Sequence, residues 1–242
     1  MQGDGQVQGR ARRVAFFGGS FDPPHLGHLA VARAAKTALD LDTVLFAPVG
    51  AQPLKTQGAA AGFEDRVEMT RLAIAGEPAF EISLADAPKA EGVPNYTLET
   101  LEKLQDTLGA DCLLYFLVGA DSFLGLRKWH RAAEIPFAAP LIVASRPGQK
   151  VDGMKAALPA GLAFEGKALR EETRGGVKVR RFLLKNDMGE RTVLYMLPGL
   201  DVPISASEIR EAMHGNLGAE DGAKLVPAAV AEYVRAHGLY HG

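Results

Sequence analysis

The stretch Gly18-Gly19-Ser20-Phe21-Asp22-Pro23-Pro24-His25-Leu26-Gly27-His28 decides how the rest of the chain is read. It follows a short apolar run, Val14 to Phe17, and leads into a segment of helical period, Leu29 to Leu39. Strand, glycine turn and helix in that order open a βαβ unit. Glycines at such a turn let backbone N–H groups come close to an anion, and the proline pair is placed to start a helix whose positive end faces it. His25 and His28 lie three residues apart, so they project on the same side of the first helical turn. Two imidazoles there can donate to phosphate oxygens and stabilise charge that grows on a departing group. Gly27 between them removes a side chain that would block a nucleotide.

Outward from this motif, short apolar runs alternate with longer amphipathic segments. Strands are expected at Val14 to Phe17, Val44 to Pro48, Phe80 to Leu84, Leu113 to Val118, Leu141 to Ala144 and Val193 to Leu197. Crossover helices are expected at Leu29 to Leu39, Glu64 to Ala75 and Leu98 to Leu108. The pattern predicts an α/β fold with a Rossmann-like, doubly wound parallel sheet followed by C-terminal helices at Ile209 to Met213, Ala219 to Leu225 and Pro227 to Ala236. In such a sheet ligands bind beyond the carboxyl ends of the strands, where strand order reverses. The loops that should carry chemistry are therefore Gly18 to His25, Val49 to Lys55 and Gly119 to Ser122.

Residues 1–11 are polar and glycine-rich and read as a flexible leader to one domain over 12–242. Within that domain, about 147–191 is rich in charge and glycine and reads as an insertion. Val177 to Lys185 and Thr192 to Leu197 could form a long hairpin turning at Asp187 to Gly189. A solvated extension is the simplest account of it, with an oligomer contact or a flap as alternatives.

With 242 residues, 47% hydrophobic and 23% charged, the chain can bury a proper core. A formal net charge of -2 gives no global attraction to nucleic acid or an anionic membrane, so phosphate binding must be a local arrangement. No stretch approaches the roughly 18 apolar residues of a membrane span. A single cysteine, Cys112, excludes an internal disulfide or thiolate metal cluster and fits a reducing cytoplasm. It reads as a small buried hydrophobe, not a nucleophile.

A second motif, Ile204-Ser205-Ala206-Ser207-Glu208-Ile209-Arg210, follows the last strand. Ser205 or Ser207 can cap a helix and leave free N–H groups for phosphate, while Arg210 offers a guanidinium. Alone this is an ordinary helix start with a surface arginine. Paired with the histidines, it becomes the second half of a triphosphate clamp.

Together the two motifs resemble those of the nucleotidyltransferases that share a histidine-x-glycine-histidine signature and a later serine-rich, arginine-ending one. Asn95-Tyr96-Thr97-Leu98-Glu99-Thr100-Leu101, Gly119-Ala120-Asp121-Ser122 followed by Trp129, Ala144-Ser145-Arg146-Pro147-Gly148, and Val226-Pro227 through His237-Gly238-Leu239-Tyr240 narrow the resemblance to bacterial nicotinate-mononucleotide adenylyltransferases. The resemblance implies transfer of AMP from ATP, with Mg2+ travelling on the triphosphate, to nicotinate mononucleotide in NAD biosynthesis. It implies catalytic roles for His25, His28 and Arg210. It places Gly18, Gly19, Ser20, Phe21, Lys55, Gly119, Asp121, Ser205 and Ser207 at ATP, with Asp121 on a ribose. Thr97, Leu98, Trp129, His130 and Arg146 would meet the acceptor, the first two by backbone groups at its carboxylate and Trp129 by stacking on its ring. No dedicated metal cage and neither a nucleic-acid nor a membrane partner is expected, and self-association is left open. Two positions depart from the pattern. Leu54 stands where a histidine precedes the lysine, and Ala206-Ser207 stand where serine and threonine are usual.

Overall fold

The fold was described from a computed structural model of the chain, which covers residues 10–53, 58–90, 93–145, 151–200, 204–214 and 222–240. The first half alternates strand and helix as the sequence predicts: β1 (Arg12–Gly19), α1 (Leu26–Leu39), β2 (Thr43–Pro48), α2 (Phe63–Ile74), β3 (Phe80–Ile82), α3 (Thr97–Leu108) and β4 (Cys112–Gly119). After two short helices, α4 (Ala120–Leu124) and α5 (Ile135–Ala138), come β5 (Leu141–Ala144), α6 (Val151–Ala157), β6 (Leu162–Phe164), β7 (Arg170–Arg174), β8 (Val177–Asn186) and β9 (Arg191–Leu197). Helices α7 (Ala206–His214) and α8 (Ala228–Ala236) follow.

Strand order is β3-β2-β1-β4-β5-β9-β8-β6, with β7 also on β8. The pairs from β3 through β9 are parallel, and those made by β8 are antiparallel. Every residue of β2 is buried, as befits a strand covered on both faces. Alternate residues divide between two cores. Ala15, Phe17, Val44, Phe46 and Leu117 pack under α1, α2, α7 and α8, whereas Val14, Phe16, Leu45, Phe116 and Val118 pack under α3, α4 and α5. In α3 the stripe Leu98, Leu101 and Leu104 faces the second core.

Several details differ from expectation. β3 ends at Ile82, short of Leu84: the Ser83 amide makes the last ladder bond, to the Phe46 carbonyl at 2.8 Å, and the chain then turns, the Ala87 amide bonding the Leu84 carbonyl at 3.0 Å. The proline pair precedes α1 without starting it: His25 is the N-cap, and the Asp22–Pro23 peptide is cis. The segment between β5 and β9 extends the sheet. Its β8 and β9 form the hairpin expected there, paired from Arg180↔Met196 to Lys185↔Arg191, but it is no solvated extension, since Phe182 and Leu184 are buried in the core beside Leu194. The solvated reading suits β7, which carries no buried residue. Residues 219–221 of the expected helix Ala219 to Leu225 lie outside the described residues, and 222–225 form a short helical end and a turn, the Leu225 amide bonding the Gly222 carbonyl at 3.1 Å. Cys112 begins β4 half-buried, and burial pushes its thiol up, away from thiolate.

Phe46 has no exposure and meets the rings of Phe17, Phe21 and Phe80 at 5.3, 5.5 and 5.3 Å. Truncation there should leave a cavity at the sheet's centre. Phe46→Ala is expected to lower unfolding free energy by about 3–5 kcal/mol in urea titrations; a loss below about 1 kcal/mol would mean that the core readily collapses around the hole.

Candidate active site

A cleft of about 920 Å³ opens at the carboxyl ends of β1, β4 and β5. It sits where the chain's path reverses, since β1 leads through α1 to β2 on one side while β4 leads to β5 on the other. That volume suits a dinucleotide-sized ligand.

The first turn of α1 forms one wall. The His25 and His28 rings stack with centroids 3.7 Å apart and planes 27° from parallel. The backbone N–H of His25 donates to Nδ1 of His28 at 3.2 Å. In the neutral imidazole this acceptor role puts the proton on Nε2, leaving Nε2–H as the donor. Phe21 holds the ring from behind, its centroid 4.9 Å from that of His28. Phe21 is buried with φ of 47°, a left-handed backbone rare for a bulky residue, and that turn drives its ring into the core beneath the histidines. Burial pushes the His25 imidazole down from 6.5 to about 4. It also holds His28 well below the usual range, with the neighbouring His25 adding to the effect. Both rings are therefore neutral N–H donors near neutral pH. A Cβ at Gly18 or Gly19 would crowd a ring, at 3.0 Å from Phe16 or 3.2 Å from Phe21 respectively.

Helix α7 supplies the opposite wall. Ser205 caps it, Oγ accepting from the Glu208 amide at 3.5 Å, and Ser207 Oγ accepts from Arg210 Nη2 at 3.3 Å. Arg210 Nη1 donates to the Asp22 carbonyl at 2.7 Å, tying this wall to the histidine turn.

The far end is built on α3. Its first N–H groups have no partner within the helix and point outward, a ready anion site. Thr97 lines the cleft there, while the Leu98 side chain is buried in the core, so Leu98 can contribute only backbone. Trp129, half-buried, packs on Phe116 with centroids 6.0 Å apart and turns its remaining surface to the cleft. His130 lies against Tyr96 at 4.3 Å, extending the aromatic surface. Asn95 fixes this loop, accepting from the Ala51 amide at 3.0 Å and donating to the Ala87 carbonyl at 2.9 Å.

Thus the cleft gathers Gly18, Gly19, Ser20, Phe21, His25, His28, Thr97, Gly119, Asp121, Trp129, His130, Ser205, Ser207 and Arg210, all expected from the sequence, with Leu98 just behind it. Lys55 and Arg146 lie outside the described residues. Sequence reading missed the polar groups beneath. Buried Asp86 accepts from the Thr100 hydroxyl at 2.6 Å, and burial pushes its carboxyl up. Buried Asp22 meets Tyr240, whose hydroxyl donates to Oδ1 at 2.8 Å. Arg66, 2% exposed, donates to the Ser20 carbonyl at 2.8 Å. Lys128, at the mouth, was also missed. The aspartate inside the Gly18 to His28 motif was the available signal, being a charged residue at a turn where none is needed for helix capping.

Residues 16–212 match the family model described as cytidylyltransferase-like. A protein of Solibacter usitatus named "Probable nicotinate-nucleotide adenylyltransferase" is 34% identical over 95% of this chain and 100% of its own length. One of the same name from a Roseiflexus species is 36% identical over 94% of this chain and 97% of its own. The chain belongs to the cytidylyltransferase-like family, and within it to the nicotinate-nucleotide adenylyltransferases. Among solved structures, the nicotinic acid mononucleotide adenylyltransferase of Plasmodium falciparum complexed with NaAD superposes with a TM-score of 0.66 over 95% of this chain and 97% of that one. At 16% identity that likeness speaks for the shared fold.

In this adenylyltransferase the buried imidazoles tie stability to pH. Folding keeps His25 neutral down to about 4, whereas the unfolded chain takes up a proton below 6.5. The contribution is thus complete above 6.5 and is lost as pH falls toward 4. By about pH 5 this one group should cost about 2 kcal/mol relative to neutral pH. His25→Gln should flatten the fall in urea-unfolding free energy over that interval, and parallel curves for variant and parent would refute the assignment.

Proposed function

We propose that this protein transfers the AMP portion of ATP to nicotinate mononucleotide, forming nicotinate adenine dinucleotide and pyrophosphate. The carrying observation is the stacked His25–His28 pair facing one cleft with the amino terminus of α3. Donors for a triphosphate stand at one end, and a second anion site beside an aromatic face stands at the other. The names of the relatives, a third identical over nearly the whole chain, support the same reaction.

In this reaction a 5′-phosphate oxygen of the acceptor attacks the α-phosphorus in line, and the bond to pyrophosphate breaks. Such chemistry needs alignment and charge stabilisation more than a covalent nucleophile. His28 Nε2–H and the His25 ring donate to the phosphate oxygens as charge moves to the leaving group, and Arg210 closes the other side. Gly18, Gly19, Ser20 and Phe21 bring backbone groups to the triphosphate, with the Ser205 to Ser207 turn opposite. Gly119 leaves the approach open, since a Cβ there would meet nothing within 4 Å, and Asp121 accepts from a ribose hydroxyl. Thr97 and Leu98 amides take the nicotinate carboxylate, and Trp129, with His130 beside it, stacks on the electron-poor ring. Lys55 contributes a cation to ATP binding and Arg146 one to the acceptor. Magnesium would arrive on the phosphates of ATP. No helix among the described residues is long and apolar enough to cross a membrane. The enzyme works in the cytoplasm on small nucleotides.

Pyrophosphate release from ATP and magnesium, compared across nicotinate mononucleotide, nicotinamide mononucleotide and phosphopantetheine, tests the assignment. The nicotinate form should be strongly preferred. Preference for another acceptor would discard the α3 subsite, and ATP binding without release would indicate a nucleotide sensor. His28→Ala should lower kcat by about 10²–10³-fold with an unchanged melting temperature, the loss typical of one transition-state donor. Trp129→Ala should act on the acceptor instead, raising its KM about tenfold while that for ATP stays put; equal effects on both substrates would remove the stacking role.

A further inference from the structure

Beneath the clamp lies a polar junction that the chemistry above does not use. Asp22 is 4% exposed, yet three hydrogen-bond donors and one guanidinium converge on its carboxylate. The Ala60 amide donates to Oδ2 at 2.6 Å, and the Ala61 amide and Tyr240 hydroxyl donate to Oδ1 at 3.0 and 2.8 Å. Arg210 Nη1 stands 3.8 Å from Oδ2 while donating to the Asp22 carbonyl at 2.7 Å. A carboxylate offers about four lone-pair sites; hydrogen bonds fill three of these, and the Arg210 charge stands in ion-pair range of Oδ2. Behind it, Arg66 donates to the Ala61 and Ser20 carbonyls at 3.3 and 2.8 Å, closing the junction from the core side.

The segments joined are far apart in sequence, Arg210 lying 188 positions and Tyr240 218 positions after Asp22. Tyr240 is buried with φ of 63°, a left-handed conformation that a tyrosine holds only when its surroundings fix it. We propose that Asp22 is a positioning residue which, braced by the Tyr240 hydroxyl near the carboxyl end, sets the Arg210 guanidinium over the triphosphate and locks together the two halves of the ATP clamp. The Asp22 carbonyl takes Nη1, the carboxylate draws the same edge by its charge from 3.8 Å, and Ser207 holds Nη2. Remove the brace and the carboxylate can turn, Arg210 loses its seat, and the cost falls on ATP. The acceptor subsite on α3, which has its own staple in Asn95, is spared.

This rests on the ATP-dependent reading of the same cleft. The test measures ATP binding by calorimetry and steady-state kinetics for each substrate in wild type, Tyr240→Phe, Asp22→Asn and the double variant. Tyr240→Phe keeps the buried ring and removes one hydrogen bond to a charged group. Kd and KM for ATP should rise about tenfold, while KM for the acceptor stays within about twofold. Asp22→Asn should raise both ATP constants further and lower kcat. In the double variant the tyrosine change should add little to the asparagine one, because the two act through one junction. A purely structural role would lower the melting temperature and leave the ATP constants of the folded enzyme unchanged, and that result overturns the proposal. If Asp22→Asn fails to fold, Tyr240→Phe alone decides. If wild type binds ATP without releasing pyrophosphate, the functional reading fails and ATP affinity still judges the brace. A wild type that binds no ATP refutes both.

Discussion

Strand β1 is hydrogen-bonded along both edges, to β2 and β4, and buried on both faces, so none of its backbone groups from Val14 to Phe17 can be left to water until the strand is finished. The chain must leave the sheet abruptly once past Gly19. It does so by folding Phe21 back into the core in a left-handed turn, where its ring packs against Phe17, Phe46 and His28. That plug fixes the height at which α1 begins, and with it the position of the imidazoles. Nucleotide chemistry on this scaffold is thus a consequence of how a doubly covered strand is terminated.

The same packing sets the electrostatics. Imidazoles supported from beneath by aromatic rings lose hydration, and burial is the leading cause of the lowered pKa at both histidines. Fixed neutral donors in a water-poor cleft need no reorganisation as charge develops, and their N–H dipoles act at low effective dielectric. Among the described residues permanent positive charge comes from Arg210, which lines the cleft from α7, and from Lys128 at the mouth. Orientation comes from the histidine turn and charge from the opposite wall, so the geometry between the walls matters as much as either one.

Much of this was legible in the sequence because it is local. A glycine turn between an apolar run and a helical period announces β1 and α1, and the spacing of His25 and His28 announces a shared face. What escaped is non-local. Pro23 and Pro24 look like helix starters, yet their backbone is spent on the turn, and the cap passes to His25. The charged stretch before β9 looks detachable because Arg and Glu dominate it, but β8 buries Phe182 and Leu184 on one face, at strand period, and Val179 on the other. Asp22, Arg66 and Tyr240 could not be paired from the sequence, since nothing at one position specifies a partner that the fold supplies from another element.

Buried polar side chains recur wherever a loop crosses the carboxyl edge of the sheet. The loop after β2 and the one before α3 cannot pair as strands, so their amides and carbonyls need other partners. Asp22 serves the Ala60 and Ala61 amides, and Asn95 bridges the Ala51 amide and the Ala87 carbonyl. At Gly50 the backbones come so close that a Cβ would lie 2.5 Å from Pro88, and its amide bonds the Asp86 carbonyl at 2.8 Å. These short side chains do for the loops what the ladder does for the strands. Because each satisfies groups on more than one loop, the walls of the cleft are set relative to one another before any ligand arrives, which is what an in-line displacement between two bound anions requires.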